Sequence, residues 1–92
     1  MTVREKVLNN AKEYVCGQRQ QDYGTPEENF NMIAKLWSAY KGMVFTPVDV
    51  AMMMALLKIG RIKTGSGSGD SFVDLAGYAA CAAEVKERET KR

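Results

Sequence analysis

Apolar residues recur every three or four positions along four stretches of the chain, the period of a helix with one buried face. Val3, Val7, Leu8, Ala11, Tyr14 and Val15 mark the first, over about 3–16, and Gly17 fits its stop. Phe30, Ile33, Ala34, Trp37 and Tyr40 mark the second, over 26–41, followed by Gly42. The third, over 47–63, is apolar nearly all round in VDVAMMMALLKIGRI until Lys58 and Arg61. The fourth, over 71–87, carries Phe72, Leu75, Ala76, Ala79, Ala82 and Ala83. It runs into the charged tail KERETKR, where 88–92 are expected to fray.

The starts carry their own chemistry. Thr2 and Glu5, Thr25 and Glu28, Thr46 and Asp49, and Ser71 and Asp74 all have the spacing of a capping box, in which hydroxyl and acid satisfy each other's backbone amides. Pro26 and Pro47 sit at first helical positions, where a missing N–H costs nothing. Phe45 and Val50 are spaced as a hydrophobic staple. Short connections favour antiparallel neighbours. The prediction is an all-α fold, a four-helix antiparallel bundle forming one domain over 1–92.

A helix apolar on every side is normally buried on several. The third is therefore expected at the centre, with Met52, Met53 or Met54 in a subunit interface or simply in the core. Trp37 is expected to anchor the core. A chain of 92 residues buries little surface alone, so a homodimer or larger homo-oligomer is expected.

Composition narrows the chemistry. The net charge is +2 and no basic stripe interleaves with aromatics, so neither nucleic acid nor an acidic membrane is an expected partner. No apolar run reaches the ~20 residues of a membrane span, and the polar start MTVREKVLNN does not read as a signal peptide. A cytoplasmic setting is expected. Cys16 and Cys81 lie far apart, which suits neither a disulfide framework nor a zinc site. There is no histidine, so the commonest general base and metal nitrogen ligand are missing.

An up-down bundle would gather the start of the second helix, the end of the third and the start of the fourth. That end would hold Glu27, Glu28, Asn31, Lys58, Arg61, Asp70 and Asp74, with Tyr23, Arg19 and Asp22 in the preceding loop. Oxygen ligands from two helices are how a hard cation such as Mg²⁺ is held; equally, these acids are cap partners or favour helix N-termini. Lys58 and Arg61, three apart on an apolar helix, are phosphate contacts or an ion-pair cluster with the facing acids. The neighbouring GSGSG lacks the ending of a phosphate loop.

The runs DYGTPEENFNMIAKLW, DVAMMMALLKIGRI and DSFVDLAGYAACAAE resemble a family of small phage and prophage proteins of uncharacterised function. Those are similar, more distantly, to the MazG-like all-α nucleoside triphosphate pyrophosphohydrolases. That resemblance implies an oligomeric helical bundle in an infected or lysogenic bacterial host. It implies Mg²⁺-dependent cleavage of a nucleoside triphosphate by metal-activated water. Glu28, Asn31, Asp70 and Asp74 would hold the metal, Lys58 and Arg61 the phosphates, and Tyr23, Glu27 and Tyr78 the rest of the nucleotide. Asn31 stands where the family's ExxE motif has its second acid, and Asp70 is one position out of register. The alternative is a non-catalytic binding protein that sequesters a nucleotide or blocks a host protein.

Overall fold

The computed structural model describes residues 1–17, 25–65 and 70–90. They form four helices, α1 Val3–Cys16, α2 Pro26–Lys41, α3 Pro47–Thr64 and α4 Asp70–Thr90, and no strand is found among the described residues. Two starts close the capping box that the spacing predicts, and a third makes half of it. Thr2 and Glu5 close a reciprocal box, as do Thr46 and Asp49, whose Oδ2 accepts the Thr46 N–H at 2.9 Å. At α2, Thr25 Oγ1 accepts the Glu28 N–H at 3.1 Å.

The fourth start differs. α4 begins at Asp70, so Ser71 is a buried residue of its first turn, and Asp74 turns its carboxylate to Lys58 instead of a cap. The other end differs as well: α4 stays helical through Thr90. Arg88 lies between Glu84, at 2.9 Å, and Glu27 of α2, at 3.0 Å.

The central helix is α4, not α3. It packs most heavily on α3, then on α1, and it also touches α2, while α2 packs on α3. α3 and α4 run antiparallel. Lys58, late in α3, meets Asp74, early in α4, whereas Val50 and Ala51 share the core with Ala82 and Val85. The buried face of α4 is Ser71, Val73, Gly77, Cys81, Ala82 and Val85; Phe72, Ala79 and Ala83 of the expected stripe face solvent. Small side chains explain its position, since helices approach closest where little projects. At Gly77 the approach is tight enough that an added Cβ would lie 3.2 Å from Val15 Cγ1 of α1. The core joins these residues to Phe30 and Ala34 of α2.

α3 buries Val50, Ala51 and Ala55 and half-buries Met54 against the core, but Met52, Met53, Leu56, Leu57 and Ile59 are exposed. Trp37 is half-buried at the core's edge, edge-on to Phe45 with centroids 6.1 Å apart. Ser38 fixes the connection between α2 and α3. Its hydroxyl donates to the Ala34 carbonyl at 2.7 Å and accepts the Phe45 N–H at 2.9 Å, next to Gly42 at φ 70°. Ser38→Ala strands that N–H and is expected to cost about 1–2 kcal/mol in urea unfolding; an unchanged midpoint would mean that water replaces the hydroxyl.

Candidate functional site

The sequence placed its candidate chemistry at one end of the bundle, and the structure divides it. Lys58 and Asp74 do meet. Both lie on the faces that α3 and α4 turn to each other, and Lys58 Nζ stands 3.0 Å from Asp74 Oδ2 with the two side chains 16% and 28% exposed. Beside them is a cleft of about 90 Å³ lined by Val15, Phe30, Asp74, Gly77, Tyr78 and Cys81. Tyr78, one turn after Asp74, stacks at a tilt on Phe30 with centroids 6.2 Å apart. Burial, then the nearby Glu84 and Cys16, push the Cys81 thiol above its ordinary range, whereas Cys16 is exposed. The cleft is thus an apolar dent with one carboxylate at its edge, and that carboxylate is already paired.

The other candidates lie elsewhere. Glu27 pairs with Arg88, whose proton is held more firmly than usual by its hydrogen bond to Glu27 and the charge of Glu84. Arg88 is fourteen residues beyond Asp74, roughly 21 Å along the helix at 1.5 Å per residue. α2 turns Phe30 and Ala34 inward, which leaves Glu28 and Asn31 on its exposed side. Asp70 and Arg61 are exposed. Tyr23, with Arg19 and Asp22, and loop residues 66–69 lie outside the described residues.

Mg²⁺ requires near-octahedral oxygen ligands. No group of three Asp, Glu or Cys side chains converges to hold a metal among the described residues. The expected set of Glu28, Asn31, Asp70 and Asp74 therefore does not fit that ion, because an ammonium occupies Asp74 and exposed helix faces carry Glu28 and Asn31.

A second concavity escaped the sequence reading. Trp37, Tyr40, Lys41, Phe45 and Met53 line an open, mostly apolar groove of about 290 Å³ across α2 and α3. Tyr40 is 88% exposed. Met32 and Leu36, two turns and one turn before Tyr40 on α2, are exposed as well, although Tyr40 was expected on the buried stripe.

The sequence profile of a domain of unknown function, DUF6378, matches residues 6–86. The chain belongs to that family. The DUF6378 match takes in parts of all four helices, and with them both the cleft and the groove. The Gene 55 protein of Mycobacterium phage L5 is 48% identical over 87 residues, 94% of this chain and 56% of the relative. The Gene 55 protein of Mycobacterium phage D29 is 42% identical over 83 residues, 90% of this chain and 55% of the relative. The DUF6378 chain thus spans little more than half the length of these relatives. No solved structure matches it. These matches support the resemblance to small phage proteins and do not extend it to MazG-like enzymes. No helix among the described residues is long and apolar enough to cross a membrane.

Proposed function

We propose that this chain is a non-catalytic phage-type binding protein that holds a host protein in the groove between α2 and α3. The observation that carries the reading is the groove itself, where Trp37, Tyr40, Phe45 and Met53 surround an apolar hollow with Lys41 at its side. Buried aromatics dominate binding energy at interfaces because they desolvate much area for few rotatable bonds. Lys41 favours a partner that presents an acid next to its apolar anchor. The partner is therefore a protein segment with a large apolar side chain beside Asp or Glu.

The pyrophosphohydrolase reading asks more of these residues than their positions offer. Its Mg²⁺ ligands stand apart, and Lys58 would have to release Asp74 before it could hold a phosphate. Calorimetry with nucleoside triphosphates and Mg²⁺ is accordingly expected to show no binding at millimolar concentration; saturable heat would overturn the protein-binding reading.

The direct test uses the chain as bait in host lysate, then titrates the captured protein, purified, against the wild type and Tyr40→Asp. Tyr40 is exposed, so its replacement is expected to leave the fold intact by circular dichroism. The expected result is an affinity lower by about 30-fold or more, the effect of losing a hot-spot aromatic. Equal affinity for both chains would remove the groove from consideration.

A further inference from the structure

The outward side of α3 carries a second surface. Asp49, Met52, Leu56, Ile59 and Lys63 succeed one another at intervals of three, four, three and four residues. That is the a/d repeat of a coiled-coil seam. All five are exposed, Met52 by 40%, Leu56 by 64% and Ile59 by 48%. Met53 and Leu57 widen the strip, while Val50, Ala51 and Ala55 occupy the opposite side, towards the core. The ends carry opposite charges, with Asp49 in the first turn and Lys63 in the last, and Leu56 stands seven residues from each.

We infer that this seam pairs with α3 of a second copy, antiparallel, about a two-fold axis at Leu56. An isologous contact needs a surface complementary to itself, and this one is so in only one sense. Antiparallel, each Asp49 faces the partner copy's lysine at the same seam end, and the helix dipoles oppose. Parallel, acid faces acid and base faces base. The area fits a modest dimer. Met52, Met53, Leu56, Leu57 and Ile59 expose on the order of 450 Å² per copy, so the pair covers up to about 900 Å² of apolar surface, and the flanking charges bring the total to about the 1,000 Å² that a specific interface needs. A bare apolar strip of that size falls within the roughly 300–600 Å² of the largest patches on monomers, which are often functional, so the matched end charges carry the choice of partner. The seam shares only Met53 with the groove proposed for a host protein, so the two inferences stand or fall separately.

Sedimentation velocity of the full chain at about 1–100 µM tests it. The wild type is expected at about twice its 10.2 kDa mass at the upper concentrations. Leu56→Asp sets two carboxylates against each other on the axis and is expected to be monomeric throughout, with unchanged helicity. Lys63→Glu opposes acid to acid at both ends and is expected to raise the dissociation constant ~3–10-fold, the scale of two exposed ion pairs. Salt discriminates further: screening is expected to weaken wild-type pairing and strengthen that of Lys63→Glu. An equimolar mixture of Lys63→Glu with Asp49→Lys is expected to restore pairing, since both cross-contacts become opposite in charge. Asp49 also accepts the Thr46 N–H, so the salt series remains decisive if Asp49→Lys folds poorly. A wild type monomeric at ~100 µM, a dimer that survives Leu56→Asp, or the same salt trend in wild type and Lys63→Glu would each overturn the inference.

Discussion

Val85→Asp is expected to leave the chain without a stable fold. Val85 is 2% exposed and, with Val50, one of the two largest wholly buried side chains. It joins α4 to the core formed with α2 and α3. A carboxylate there loses its hydration, and a carboxyl so placed raises its pKa and neutralises instead. A domain of this size has roughly 5–14 kcal/mol of stability in total, and an unpaired buried acid removes more than about 4 kcal/mol of it. The penalty has a pH sign. Because the folded-state pKa lies above the unfolded one, stability is least impaired below about pH 4, the ordinary range of Asp, and is lost as pH rises through the raised value. Circular dichroism and urea unfolding at neutral pH are expected to show a largely unfolded chain, partly rescued in acid relative to wild type at the same pH. Phe72→Asp is the control. Phe72 is the larger apolar residue but 54% exposed, and its replacement is expected to cost under ~1 kcal/mol. Equal effects at the two positions would refute the assigned face of α4.

That contrast shows where the sequence was legible. The starts of α1, α2 and α3 were readable because a cap is local chemistry, decided within four residues of Thr2, Thr25 and Thr46. Ser71 and Asp74 have the same spacing without making a cap. Asp74 meets Lys58, a tertiary partner that no local rule contains. The face of α4 was misplaced for a related reason. Periodicity weighted Phe72 and Leu75 and caught Ala82, but it missed Gly77 and Cys81, where little projects and the other helices close in. At the candidate site, the meeting of Lys58 with Asp74 and the nearness of Tyr78 followed from an antiparallel α3–α4 pair. The position of Glu27 did not, because α2 directs its first turn towards Arg88 and not towards Asp70.

Ala51→Leu is expected to cost about 2–3 kcal/mol, although leucine forms helix nearly as well as alanine and is the more apolar. Ala51 has no exposed surface and belongs to the cluster that includes Cys81 and Ala82 of α4. Three added carbons have no solvent to enter there, so they must displace neighbours or separate helices, and overpacking of this kind costs typically 1–3 kcal/mol. The upper part of that range applies because α3 and α4 form the most extensive helix pair of the fold and α1 depends on α4 for most of its packing. Separating the pair therefore loosens two interfaces. Urea unfolding measures the loss, and Ala79→Leu on the exposed side of α4 is the reference, expected within ~0.5 kcal/mol of wild type. A neutral or stabilising Ala51→Leu would show that α3 and α4 have slack between them. The small residues along their contact would then not explain why α4 is the central helix.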